Sequence, residues 1–505
     1  MLATVASSVV QGVDGHPVSV EVHVSNGLPG YTLVGLPDAS CRESRDRVRA
    51  AILSSGLRWP ARRVTINLAP TGLRKHGASL DLPIALGILA ASDQIPAEAL
   101  RRFGAIGELG LDGSVRSVSA LVSLADAVAA PEVFVPVAAG DQAAVVRPGE
   151  VRPIATLGEV VAGLTDAAPL PPVHTADTGA DLVATTADLA EVRGQPLARW
   201  ALEVAAAGGH HLLMVGPPGA GKTMLAARLA GLLPPLDGER ALATTRVHSA
   251  AGLPIPGGGL VRLPPYRAPH HGASMVAMIG GGSAAMRPGE ISCSHNGVLF
   301  LDELGEFSVA VLDALRQPLE EGVVRISRAA RAITLPANFQ LVAAMNPCPC
   351  GEGSADGSCR CSDHARSRYA RRLSGPLLDR FDLRVEVSPP APDVLMGNTV
   401  EEDSASVAAR VSAVRGLAAQ RGVRCNAELP PADLAEVAPL TPAAVDHLRS
   451  ELQRGSLTGR GLRRVRTVAR TIADLQGVDG PIGVAVVQAA LGLRSTPRSV
   501  LGVAA

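Results

Sequence analysis

Lysine is nearly missing from this chain: of its 47 basic residues only Lys75 and Lys222 are lysine, the other 45 being arginine. Arginine and lysine are not interchangeable, so each of the two is a place to look for work that needs a compact ammonium. Aromatic residues are also scarce, at 2% of the chain, which excludes a broad stacking surface for nucleic-acid bases. No charge of either sign is in excess: 47 basic residues meet 47 acidic ones, so the whole-chain balance points neither toward a polyanionic partner nor away from one. No apolar run approaches the roughly 20 residues that a membrane-spanning helix needs, and Met1-Leu2-Ala3-Thr4-Val5 carries no basic start. No membrane partner and a cytoplasmic location are therefore expected. Hydrophobic residues at 47% and charged residues at 19% exclude a disordered or fibrous chain. Cysteine is the exception, being clustered: four of the seven fall between Cys348 and Cys361. In a cytosolic chain such crowding suggests metal or redox chemistry more than a disulfide scaffold.

At 505 residues the chain is too long for one core, and about three domains are expected. The clearest boundary is the stretch 166–187, rich in proline and poor in apolar periodicity, which reads as a linker. Ahead of it, 1–165 mixes alternating strand-like runs such as Val18 to Val24 with helical stretches such as Leu82 to Ala91. Residues 188–392 alternate apolar strands with helical patterns, the signature of a parallel α/β sheet, and 393–505 are dominated by helical periodicity.

His211 to Val215 reads as a buried strand that runs into Gly216-Pro217-Pro218-Gly219-Ala220-Gly221-Lys222-Thr223 and then a helix. That is a phosphate loop in its required strand–loop–helix setting. Glycines let backbone N–H groups close on phosphate oxygens, and the helix start adds its dipole. Lys222 is expected on the β and γ phosphates of ATP, and Thr223 on Mg²⁺. Eighty residues on, Val298-Leu299-Phe300-Leu301 ends in Asp302-Glu303. A phosphate-loop hydrolase needs one acid to hold Mg²⁺ and one to polarise the attacking water, and Asp302 and Glu303 suit these roles in turn. A further strand, Phe339 to Met345, delivers Asn346 toward the γ-phosphate.

With these residues, and with Arg193-Gly194-Gln195, Tyr266 to His271, Gly280-Gly281-Gly282, Arg287 to Ile291, Met345 to Gly351, Leu378 to Asp382 and Val468 to Leu475, the chain resembles the AAA+ ATPases. More narrowly it is similar to the magnesium-chelatase-like branch that contains the ComM/YifB proteins, over residues 1 to 498. The resemblance implies an α/β fold in which an AAA+ phosphate-loop NTPase sheet follows a Lon-protease-like, ribosomal S5-type α/β domain and precedes a helical lid. It implies that Asn346 is the sensor-1 residue, that Arg380 is an arginine finger reaching a neighbouring subunit's γ-phosphate, and that Arg460 is the sensor-2 arginine, with Arg464 second. A finger supplied in trans requires a ring, and the resemblance implies a homo-hexamer. The activity it implies is ATP hydrolysis driving a DNA motor, a branch-migration helicase of homologous recombination and natural transformation. The ATPase subunit of magnesium chelatase and a Lon-like protease are the alternatives.

Other segments bear on partners. Gly322 to Leu335 reads as a hairpin with Arg325, Arg328 and Arg331 at or near its turn, placed by the resemblance in the ring's pore, where arginines would meet DNA phosphates without reading bases. Residues 406–505 hold 13 Arg against 7 acids, six of them within 454–470 on a helical stretch, a basic patch that suits a phosphate backbone. His270-His271 has no carboxylate or cysteine at ligand spacing, so a structural or pore role is expected. Cys348, Cys350, Cys359 and Cys361 are either the four ligands of a Zn²⁺ ion or reduced or disulfide-linked thiols, since C-x-C pairs are shorter than usual zinc spacings. In the first domain Ser79 stands where the resemblance places a Lon-type nucleophile, but no lysine follows Gly107 to Arg116, and Lys75 is four residues ahead of the serine. An unactivated serine is a weak nucleophile, so a non-proteolytic scaffold is expected.

Overall fold

The computed structural model describes residues 1–175, 187–257, 259–282, 286–328, 331–352, 359–372, 375–397 and 401–494. Part of the linker, 176–186, lies outside them. So do the side chains of Arg328 and Arg331, which end the two strands of the expected hairpin, Val323–Arg328 and Arg331–Pro336.

The first 165 residues build a seven-stranded sheet in the order Gly30–Val34, Arg63–Ala69, Asp14–Ser25, Leu2–Gln11, Phe103–Ala105, Glu132–Pro136 and Val151–Ile154. Leu2–Gln11 and Asp14–Ser25 pair antiparallel across a tight turn in which Gly12 has φ +68°, a left-handed conformation that glycine adopts without a Cβ clash. Alternation does the rest: Val18, Val20, Val22 and Val24 all bury one face of the second strand. Helix Asp81–Ala91 is buried at every residue against this face, so its continuous apolar run carries no amphipathic pattern. A Cβ on Gly87 would lie 2.5 Å from Val22 Cγ2, which shows how closely helix and sheet approach.

The second sheet has five parallel strands in the order Tyr266–Arg267, Val298–Leu301, Gln340–Met345, Leu212–Val215 and Leu383–Glu386. Strand residues alternate between two cores. Leu212, Met214, Phe300, Val342 and Val385 face one, with helices Pro196–Gly208 and Lys222–Leu232; Leu213, Val215, Leu299, Leu301 and Ala343 face the other. Each of the valine, leucine, methionine and phenylalanine side chains among them contributes about 1.5–3 kcal/mol by leaving water. The strand that leads into the phosphate loop is interior, between Gln340–Met345 and Leu383–Glu386, the fourth and fifth strands of this sheet in sequence order, which is the crossover point where open α/β sheets bind ligands.

Helices Ser404–Gln420, Pro442–Gln453, Gly459–Leu475 and Val484–Gly492 complete the first of these cores, with Val407, Val411, Leu448, Val468 and Val487 buried in it. The C-terminal helices thus share a core with the sheet. At the other end, Ala120 N–H donates to Ser249 O (2.9 Å), Arg246 pairs with Asp126 (2.6 Å), and Val13 and Ala120 join the second core, tying the first sheet to the second.

Candidate nucleotide site and its flanking clusters

All five strands of the second sheet point the same way, so everything that follows their C-terminal ends meets at one edge. Gly216 can follow Val215 there because a Cβ at this position would lie 2.0 Å from Val387 O. Gly219 and Gly221, at φ +78° and +88°, take the left-handed turns that curl Pro217, Pro218 and Ala220 around the loop. Lys222, at the start of its helix and only 8% exposed, donates from Nζ to Gly216 O (2.6 Å), Pro217 O (2.8 Å) and Asn346 Oδ1 (3.2 Å). Burial pulls its pKa down, and the charges of Asp302 and Glu303 oppose that. Thr223 Oγ1 donates to Asp302 Oδ2 (2.6 Å), while Asp302 Oδ1 accepts from Glu303 N–H (2.9 Å). Hydroxyl and carboxylate oxygens at this distance are the pair that would hold Mg²⁺. Glu303 has φ +51°, an uncommon conformation for a residue with a long side chain. It turns the chain sharply off the strand and leaves the Glu303 side chain half exposed. Lys222, Thr223, Asp302, Glu303 and Asn346, chosen from three separate segments, are brought together.

Two neighbours of this site were not placed at the nucleotide by the sequence. Gln195 donates its amide to Ala220 O (3.0 Å) and to Ser388 O, bracing the phosphate loop against the chain beyond the last strand. Its only sequence signal is its place in Arg193-Gly194-Gln195. His271 places Nδ1 3.0 Å from Glu303 Oε2, with the His270 ring tilted against it, centroids 4.0 Å apart. The missing carboxylate partner of these histidines is thus remote in sequence and supplied by the fold.

Arg380 and Arg460 lie elsewhere. Both line a cleft of about 620 Å³ together with His211, Asn296, Gly297 and Gln340, residues that precede or open the parallel strands. This is the opposite sheet edge from the phosphate loop, a distance set by strands such as Gln340–Met345, about 20 Å at 3.3 Å per residue. Arg460 therefore does not approach the chain's own phosphate loop. Arg380 is 4% exposed, its guanidinium bonded to Glu320 and to Pro376 O, and Arg460 comes within 4.0 Å of the same Glu320. Burial, then the charges of Arg460, Arg464 and Arg316, pull the Arg380 pKa below its usual value. Glu320 has no local sequence signal; it reaches Arg380 only through the fold.

Most arginines of the basic stretch 454–470 are bonded within the fold. Arg464 binds Asp382 Oδ1 (2.6 Å), Arg470 binds Asp474 (2.9 Å), Arg463 caps Leu429 O (2.9 Å), and Arg466 caps Leu434 O and Ala438 O. Four of the six arginines thus have partners within the described fold. Burial alone would raise the Asp382 pKa, but Arg464 and then His210 outweigh it and hold the carboxyl well below the usual range. Arg325, exposed on its hairpin strand, pairs with Glu321.

The four clustered cysteines converge. Their sulfurs all lie within 4.8 Å of one another, with Cys348–Cys350, Cys348–Cys359 and Cys350–Cys359 at 3.2, 3.6 and 3.7 Å. None of these is a disulfide. Four thiolates around Zn²⁺ at about 2.3 Å would be about 3.8 Å apart, so the donor set fits that ion. Between the first two cysteines and the second pair, Gly351 at φ +87° lies so near the phosphate loop that a Cβ would be 2.6 Å from Pro218 Cδ.

No described helix is long and apolar enough to cross a membrane. Residues 188–394 match the family model described as magnesium chelatase, subunit ChlI; 20–138 match subunit ChlI of Mg-chelatase, and 401–494 its C-terminal model. The chain is 44% identical over 498 residues to an uncharacterized protein of Mycobacterium tuberculosis, covering 97% of this chain and 98% of the relative. It is 43% identical to the uncharacterized protein YifB of Escherichia coli, over 95% and 94% of the two chains. With the competence protein ComM of Haemophilus influenzae it shares 44% identity over 94% of each. Family models and relatives alike span the phosphate loop, Asp302-Glu303 and Asn346, and the chain belongs to the magnesium-chelatase-like ComM/YifB family of ATPases.

Proposed function

We propose that this ATPase is a ring-forming motor that acts on DNA, hydrolysing ATP with Mg²⁺ to drive branch migration. The observation that carries the ring is the split between the two sheet edges: the phosphate loop on one, Arg380 and Arg460 on the other. An arginine that cannot reach its own γ-phosphate serves catalysis only by facing the next subunit's, and a head-to-tail contact of this kind repeats until it closes. A homo-hexamer is the closure that fits the family. In such a site Lys222 neutralises phosphate charge, Thr223 and Asp302 hold Mg²⁺, Glu303 polarises the attacking water, and Asn346 orients it. Arg380 then offsets charge that develops in the transition state.

DNA as the cargo rests on the match to a competence protein across 94% of both chains, first domain included. Residues 1–165 act as a Lon-like scaffold without protease activity. Ser79 is 5% exposed, and the fully buried Lys75 directs its ammonium to Pro70 O. Arg325, Arg328 and Arg331 are the proposed phosphate contacts in the pore, and the C-terminal helices act as the lid. The test is ATPase activity with and without single-stranded and branched DNA: stimulation supports the motor, and a competent ATPase indifferent to DNA overturns it. The matching models are named for magnesium chelatase, which favours a second reading, metal insertion into a porphyrin. The two differ only in what the ring moves.

Cys348, Cys350, Cys359 and Cys361 we assign to a structural Zn²⁺ with no open coordination position. Bound there, the ion fastens the loop that follows Asn346 and that sets Gly351 against Pro218.

A further inference from the structure

Arginines without an acidic partner are concentrated in one part of the first domain. Residues 39–74 hold eight Arg against two acids, Glu43 and Asp46. Of the eight, Arg47 alone has an acidic partner among the described residues: it bonds the buried Asp81 (2.7 Å) and lies 3.8 Å from Glu43. Arg42, Arg45 and Arg49 fall at i, i+3 and i+7 of helix Ala39–Ser54 and are exposed, while Cys41, Ser44, Val48 and Ile52 bury its inner side. Arg45 brings this stripe to the edge of the sheet. Its guanidinium lies over the Tyr31 ring at 5.9 Å, and Tyr31 stacks with Trp59, centroids 6.3 Å apart. Tyr31 belongs to Gly30–Val34, the outermost strand, whose register sets Gly30 opposite the exposed Arg63, next to the exposed Arg62. Beyond the other end of that strand Pro37 bridges to Lys75, which brings the exposed Arg74 to the same edge. The contacts that tie this sheet to the ATPase sheet, through Val13, Ala120 and Asp126, involve neither the outermost strand nor the helix beside it.

We propose that this edge of the first domain binds the phosphate backbone of duplex DNA. Exposed guanidiniums that no carboxylate neutralises displace counterions from phosphates and hold a backbone without reading its bases. The Tyr31 ring is already engaged by Arg45 and Trp59, so the surface offers charge rather than an aromatic face for an unpaired base. That favours a duplex over a single strand. The contrast with 454–470 is direct: there Arg464 and Arg470 are spent on Asp382 and Asp474. The proposal rests on the reading of this ATPase as a DNA motor and deepens it, since a branched substrate presents duplex arms for such a surface.

Fluorescence anisotropy with the full chain tests this, using a labelled duplex and a single strand of the same length across a salt series. The triple variant Arg42→Ala, Arg49→Ala and Arg62→Ala should weaken duplex binding at least about tenfold. It should also lower the slope of log affinity against log salt by about 3, one for each lost phosphate contact, with DNA-free ATPase activity and Tm unchanged. Lysine at the same three positions should bind as the wild type does, because the surface supplies charge and reads no base. Wild-type duplex affinity and salt slope in the alanine variant overturn the proposal. So does a loss confined to the single strand, or a changed oligomeric state, which would mark a contact between subunits. Each of these outcomes leaves the motor reading standing where DNA stimulates the wild-type ATPase; a wild-type chain that binds no DNA overturns both.

Discussion

Lys222 Nζ lies 3.2 Å from Asn346 Oδ1, so a helix-start cation and a strand-end amide from segments 124 residues apart address the same point. Gly216 O and Pro217 O are the cation's other partners, and phosphate oxygens would take its charge from those carbonyls. The prediction is specific to lysine. Lys222→Arg should hydrolyse ATP at least about 100-fold more slowly, because a planar guanidinium does not fit where a point charge sits beneath the loop. Single-turnover rates measure it. Near-normal turnover in the arginine variant would show that charge alone is enough, and that the rarity of lysine here has no chemical meaning.

Arg380 is expected to act on a neighbour. Arg380→Ala subunits keep Glu303 and lack the finger, whereas Glu303→Gln subunits keep the finger and lack the water-polarising carboxylate. Each alone should bind ATP and hydrolyse it poorly, and mixing the two should raise the rate above either parent. No gain on mixing, in rings shown to contain both subunits, would contradict a finger in trans.

Arg464 holds the buried Asp382 at 2.6 Å, and the carboxylate also accepts from His211 N–H (3.1 Å). Arg464→Ala leaves a buried charge without its partner and should cost about 3–5 kcal/mol of stability. Denaturant unfolding reads this directly. A change below about 1 kcal/mol, the size of an exposed pair, would return Arg464 to the surface and free it for a role at the nucleotide.

For the cysteines, metal analysis of the purified chain should give one zinc per subunit, and Cys350→Ser with Cys359→Ser should abolish it. The metal-free protein should lose ATPase activity along with the order of the loop beside Pro218. Full activity in a zinc-free chain would detach the cluster from the nucleotide site.

Much of this was legible in the residues. The phosphate loop and Asp302-Glu303 are local patterns, each fixed by a strand that ends where the chemistry begins, and the valine alternation of Asp14–Ser25 is a period-two signal. What stayed hidden depends on pairing across the fold. Arginine counts over 454–470 cannot reveal that Arg464 and Arg470 are already bonded to Asp382 and Asp474. The sheet edge on which Arg460 falls depends on how the C-terminal helices dock, and the meeting of His271 with Glu303 depends on the register of a two-residue edge strand.

Dissociation of a synthetic four-stranded DNA junction by the purified protein tests the central claim most directly. With ATP and Mg²⁺, wild-type protein should convert the junction to duplex products, and Lys222→Ala and Glu303→Gln should not. A wild-type preparation that hydrolyses ATP, assembles into rings and leaves the junction intact would contradict the claim that this ATPase drives branch migration.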